Sequence, residues 1–130
     1  MNILDIEKKE RNVKVIIAGS RTIKYPYYQV VKAVKESGLW KKITTVCSGT
    51  CYGIDHAGEL WAEEHGRAIK RFPADWDTKG RKAGIIRNYQ MATYADALIA
   101  VWDGKSRGTK NMIETAFRLD LQVYVHRVKA

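Results

Sequence analysis

Five short apolar or β-branched runs alternate with helix-like segments along 130 residues, and this alternation restricts the fold more than any other feature. Val13–Ala18 is almost continuously apolar, as a strand covered on both faces must be. Thr45–Ser48, Ala68–Phe72, Ala97–Trp102 and Gln122–His126 complete the set. Pro26 suits the first turn of a helix that runs through about Ser37 and stops at Gly38. Ile54–His65, closed by Gly66, sets Ile54, Ala57, Leu60 and Trp61 at helical spacing, with Glu63 and Glu64 outside the stripe. Lys82–Tyr94 and Thr109–Leu119 follow, the latter with Met112, Ile113, Ala116 and Phe117 as its apolar stripe.

The pattern predicts an α/β chain: a Rossmann-like three-layer domain whose five-stranded parallel sheet carries helices on both faces. Right-handed crossovers leave few topologies, and the order 3-2-1-4-5 is expected. Ligands of such sheets bind beyond the carboxyl ends of the strands, where the strand order reverses. Here that point falls between the first and fourth strands.

With 45% hydrophobic residues, the chain has apolar surface for one core, so residues 1–130 read as a single domain with a charged extension over residues 1–12. That extension has no signal-peptide core, and no apolar run nears the roughly 18 residues that span a bilayer. The expectation is a cytoplasmic protein without membrane contact. Cys47 and Cys51 match neither a disulfide framework nor a zinc site; both read as reduced, packed thiols, and neither a metal nor a cofactor is expected. The net charge of +9 invites an anionic partner. Seven Lys or Arg but two carboxylates lie between Arg67 and Arg87, whereas Asp55 to Glu64 is acidic.

Three glycine-bearing loops leave the strands. Gly19-Ser20-Arg21-Thr22 follows the first, with hydroxyls and a guanidinium suited to phosphate, although a bare turn reads the same way. Ser48-Gly49-Thr50-Cys51-Tyr52-Gly53-Ile54-Asp55 follows the second and lacks the Lys-Ser/Thr of a Walker motif. Its Asp55 either complements a helix dipole or accepts from a ribose. His56 reads as a surface residue.

Asp103-Gly104-Lys105-Ser106-Arg107-Gly108-Thr109 follows the fourth strand and enters a helix. Glycines permit converging N–H groups, the helix start adds partial positive charge, and Lys105, Arg107, Lys110, Ser106 and Thr109 add donors. This is the expected phosphate site. After the third strand, Asp75 and Trp76 offer an acceptor and a stacking face for a base, or a cap on the core. Arg87 and Asn88 fall in a helix, at a core edge facing the cleft.

Taken in order, Gly19-Ser20-Arg21, Ser48-Gly49 with Gly53-Ile54-Asp55, Phe72-Pro73-Ala74-Asp75-Trp76, Ala83-Gly84 with Arg87-Asn88, and Trp102 through Thr109 resemble the YspA-type branch of the SLOG superfamily, from about Val13 to Glu114. The resemblance implies a Rossmann-like fold that binds nucleotides or nucleotide-derived signals. Wider relatives include LOG-type phosphoribohydrolases, DNA-binding DprA proteins and sensor domains of antiphage systems.

In the phosphoribohydrolases, a helix arginine works with a glutamate three residues after the Gly-Thr of the loop. Arg87, with Met91 beyond it, is similar to that arginine. The first acid after Thr109 is Glu114, two residues past Met112 at the family position. Two positions rotate a side chain by about 200°, so Arg87 and Glu114 form an imperfect catalytic pair. Asp103, Asp75 and Asp55 are alternative acids or bases, and the sequence does not choose among them.

The expected function is binding of a nucleotide or nucleotide-derived ligand as a sensor or sequestering domain, with Gly104–Thr109 and Arg21 on phosphate. One alternative is a nucleoside 5′-monophosphate phosphoribohydrolase. Another is single-stranded nucleic-acid binding; a surface this basic binds nucleic acid weakly in any case. The resemblance also implies a homodimer, because wider relatives associate through helix faces.

Overall fold

The computed structural model describes Asn2 and residues 11–129, so most of the charged extension expected over residues 1–12 lies outside the described residues. The strands are β1 (Val13–Gly19), β2 (Ile43–Ser48), β3 (Ala68–Arg71), β4 (Ala97–Trp102) and β5 (Gln122–Arg127). All neighbouring pairs are parallel, in the order β3-β2-β1-β4-β5. The expected order and the Rossmann-like architecture are what the structure shows.

Alternation along β1 sorts its side chains to two cores. Val15 and Ile17 face one, with Ile99 and Val101 of β4, and Ile16 and Ala18 face the other, with Leu98 and Ala100. Helices α1 (Pro26–Ser37) and α2 (Ile54–Glu64) cover the first core through residues such as Val30, Val34, Ile54 and Trp61. Helices α4 (Ala83–Tyr94) and α5 (Arg107–Arg118) cover the second through Met91, Met112, Ile113 and Ala116. With hydrophobic residues filling both faces, burial at roughly 25 cal/mol per Å² of apolar surface drives the three layers together.

Ile54, Ala57 and Trp61 are buried on α2 and Met112, Ile113 and Ala116 on α5, as expected, while one residue of each expected stripe is not. Leu60 is exposed on α2, and the buried stripe instead includes Gly58 and Ala62. The reason is close approach: a Cβ at Gly58 would lie 2.9 Å from Ile17, so the helix rests on β1 along its small residues. Phe117 is likewise 61% exposed, while Thr109 and Thr115 join the buried face of α5. Periodicity did not expose one short element, α3 (Trp76–Lys79), which continues through a 3-10 turn, Gly80–Lys82, into α4.

After β1 the chain turns towards α1 on one face, and after β4 it turns towards α5 on the other. The two loops diverge at the carboxyl edge, and a crevice opens between them. Among the described residues, no helix is long and apolar enough to cross a membrane.

Candidate functional site

A cleft of ≈ 600 Å³ occupies that crevice, within the range of small-molecule sites. Its floor is the end of β1. Gly19 is wedged there: a Cβ would lie 2.3 Å from the Val101 carbonyl oxygen and 2.8 Å from two carbons of Ile54. The Ser20 amide donates to the Val101 carbonyl (3.1 Å), and the Asp103 amide donates to Ser20 Oγ (3.3 Å). The loops after β1 and β4 are thereby tied to each other beneath the opening.

The loop after β4 is shaped by side chains as well as by Gly104. Asp103 Oδ1 accepts from the amides of Lys105 (2.8 Å) and Ser106 (2.9 Å), an Asx turn. Ser106 is the N-cap of α5, its Oγ accepting from the Thr109 amide at 3.4 Å. The Lys110 amide reaches the Ser106 carbonyl. The convergence of N–H groups expected over the whole loop therefore narrows to the first turn of α5, where the amides of Arg107 and Gly108 have no intramolecular acceptor among the described residues. The backbone hydrogen bonds from Ser106 and Lys105 hold the Asp103 carboxyl below its ordinary range. Gly108 lines the cleft, and nothing lies within 4 Å of where its Cβ would be.

The opposite wall is polar and buried. Arg87 is 8% exposed, donates Nη1 to the Gly49 carbonyl, and donates Nε to Asn88 Oδ1 at 3.0 Å. Asn88 Nδ2 donates to the Gly108 carbonyl (3.2 Å) and to Asn111 Oδ1 (3.0 Å), fastening α4 to the start of α5. Asp55, 6% exposed, accepts from the Cys51 amide at 3.1 Å. Burial pushes its carboxyl up to about 6, against the Cys51 hydrogen bond and the positive charges of Arg87 and Arg21. Arg21 itself reaches Cys51 Sγ at 3.5 Å.

Of the residues singled out in the sequence, Gly19, Ser20, Arg21, Asp55, Trp76, Arg87, Asn88, Asp103, Lys105, Ser106, Gly108 and Thr109 line one cleft. Others do not. Gly49 lies behind the wall, where a Cβ would sit 2.7 Å from Arg87 Nη1 and 2.8 Å from Asp55 Oδ2. Gly53 turns the chain at φ 76° beneath Arg21. Gly104, at φ 81°, packs under the Arg127 guanidinium. Asp75 is occupied as the N-cap of α3, accepting from the Thr78 amide at 3.2 Å.

Glu114 is exposed on α5 and absent from the cleft lining, so the expected pair with Arg87 is not assembled. Its turn of helix delivers Met112 to the cleft instead.

The lining also includes residues whose place in the sequence carries no ligand signal. Cys51, expected to be packed, is half-buried at the cleft, whereas Cys47 is buried and its thiol is pushed up to about 12 by burial. Arg81 enters from the 3-10 turn, and its only sequence signal was membership of the basic stretch. Asn111 lies three residues after Gly108, the spacing that shares a helix face. His56 is exposed, as expected.

No family model matches the chain. The Gene 61 protein of Mycobacterium phage D29 is 31% identical over 84 residues, which span 60% of this chain and 67% of the phage protein. Among solved structures, DNA processing protein A (DprA) from Streptococcus pneumoniae aligns with a TM-score of 0.67 at 19% identity, over 94% of this chain and 52% of that one. The chain thus spans about half the length of DprA, and at this identity the likeness shows the shared Rossmann-like fold.

Proposed function

We propose, from the premise that this chain belongs to the family of the Gene 61 protein of Mycobacterium phage D29, that its cleft binds a nucleotide or nucleotide-derived ligand. One observation carries the reading. The open amides of Arg107 and Gly108, the hydroxyls of Ser106 and Thr109 and the cations Arg21, Lys105 and Arg107 border the same cleft as Trp76 and Arg81. An anion is favoured at a helix start with unsatisfied N–H groups, and a flat ring favours stacking with a base. Phosphate on the first turn of α5 and base near Trp76 is therefore the assignment.

In this reading Asp55 accepts from a ribose hydroxyl, and Arg87 and Asn88 hold the wall rigid while bordering the sugar. The DNA-related name of DprA, a protein of the same fold, agrees with a nucleotide or nucleic-acid ligand. The ordered motifs favour the YspA-type branch of the SLOG superfamily, and a sensor or sequestering role is favoured over hydrolysis. Phosphoribohydrolase chemistry lacks the glutamate it calls for, because Glu114 faces solvent.

Native mass spectrometry of the purified protein tests the proposal by looking for a co-purifying nucleotide. Calorimetry with a panel of nucleoside mono- and diphosphates then compares the natural chain with Gly108→Trp. A side chain there fills the cleft without meeting protein atoms at its Cβ, so binding is expected to weaken at least about tenfold, or 1.4 kcal/mol. A folded variant with unchanged affinity removes the phosphate assignment, and release of free base from a monophosphate removes the binding-only reading.

A further inference from the structure

A second concave surface lies at the other end of the sheet, where the loop between α1 and β2 meets the chain entering β1. Its backbone is pinned. Leu39 is buried, the Lys42 amide donates to the Leu39 carbonyl (2.8 Å), and the Lys42 carbonyl accepts from the amides of Asn12 and Val13 (3.0 Å each). The Arg67 guanidinium donates to the Trp40 carbonyl at 3.1 Å.

What this rigid loop presents is of another character. Trp40 is 41% exposed, with the Lys41 ammonium 5.4 Å from its ring centroid. Among the described residues, a groove of ≈ 480 Å³ is lined by Trp40, Lys41 and Lys42 together with Asn12, Lys35 and Gly38, none of them a carboxylate. The ion pairs among the described residues, Arg71–Glu59 and His126–Glu36, involve none of these lysines.

Folding accounts for only part of this. Lys35 in the last turn of α1 complements that helix's carbonyls. Nothing in the core requires two more cations beside a tryptophan that is itself exposed. Like charges gathered around a concavity repel one another and concentrate anions near it.

We propose that this groove binds single-stranded nucleic acid, with an unpaired base against the Trp40 ring and neighbouring phosphates on Lys35, Lys41 and Lys42. Stacking on an aromatic ring together with a cationic track is how sequence-tolerant single-strand binding works, and a paired base offers no free face. A lipid surface fits less well, because membrane-seeking helices present a broad apolar face, whereas here a single aromatic ring stands beside three lysines. The proposal is independent of the ligand assigned to the cleft, which lies at the opposite edge of the sheet.

Fluorescence anisotropy of the full chain with a labelled 20-nucleotide oligothymidylate, between 50 and 200 mM salt, tests it. Lys41→Glu/Lys42→Glu is expected to weaken binding at least about tenfold and to flatten the salt slope by roughly 1.4, two phosphates at about 0.7 each. Trp40→Ala is expected to cost about fivefold or more while Trp40→Phe retains most of the affinity, which separates stacking from folding. Lys105→Glu/Arg107→Glu, at the cleft, is expected to leave the groove's affinity within about twofold. The proposal is overturned if the oligonucleotide does not bind at 50 mM salt, or if the cleft variant loses binding while the groove variant keeps it. Binding to phosphatidylserine vesicles without binding to the oligonucleotide overturns it as well.

Discussion

On the β1–β2 side of the cleft the glycines are pressed against their neighbours, whereas on the β4 side Gly108 stands against empty space. At Gly19 and Gly49 a single added carbon would enter a backbone oxygen, or the Arg87 and Asp55 side chains. After β4 the backbone is set by the positive φ of Gly104, the carboxylate of Asp103 and the hydroxyl of Ser106, and the glycine at 108, which lines the cleft, only leaves room. Residues of the same type beside the same cavity thus serve opposite ends. One set is a steric condition of folding, and the other keeps space for whatever enters.

The comparison breaks first at Gly19. Gly19→Ala places a carbon 2.3 Å from a carbonyl held in the central strand pair, so a loss of about 3 kcal/mol or more is expected in urea unfolding. A loss below about 1 kcal/mol would mean that the floor yields and that the glycine is no steric condition.

Asp55 gives the next largest effect. Burial raises its folded-state carboxyl from 3.8 to about 6, so the folded chain holds this proton more tightly than the unfolded one. The stabilising effect of that proton is fully present below about pH 4 and is lost as pH rises through about 6. Asp55→Asn is expected to match the natural chain near pH 4 and to exceed it by about 2–3 kcal/mol near pH 7. Glu36, Glu59 and Asp103, whose carboxyls are held low, titrate in both proteins and cancel in the difference. Parallel pH–stability curves for the two proteins would show that the wall is wetter than its burial implies.

On the other side, Asp103→Ala frees the amides of Lys105 and Ser106, and a loss of about 1 kcal/mol is expected at pH 7. Because the carboxyl is held low, the natural chain's advantage is expected to shrink as pH falls below the ordinary carboxylate range. The smallest effect is expected at Gly108. Gly108→Ala lies in the first turn of α5 with no positive φ and open space around it, so the unfolding free energy is expected to rise by up to about 0.5 kcal/mol. A destabilisation as large as that of Gly19→Ala would erase the distinction between the two sides.

Strand order and layers were legible because the sequence alternates cleanly and parallel crossovers have one hand. The placement of the cleft followed from that order alone. Helix stripes were legible but for one residue of each, because Leu60 and Phe117 are apolar yet exposed, while α2 sits on β1 through Gly58. A small residue chosen for close approach carries no hydrophobic signal. Asp75 and Trp76 are adjacent in sequence but part ways in space, one capping α3 and the other lining the cleft. Arg81 and Asn111 reach the cleft through the 3-10 turn and through helix phase, neither of which a loop motif encodes.

The edge strand β3 has a consequence for the molecule's sociability. It is four residues long, Ala68, Lys70 and Arg71 are exposed, and Arg71 is engaged with Glu59 at 2.8 Å. A foreign strand meeting that border finds few ladder groups and two cations. Growth of the sheet into a fibril or a strand-swapped pair is discouraged on that flank. The six-residue border of β5 is the longer of the two, and sheet extension between molecules has its better opportunity there.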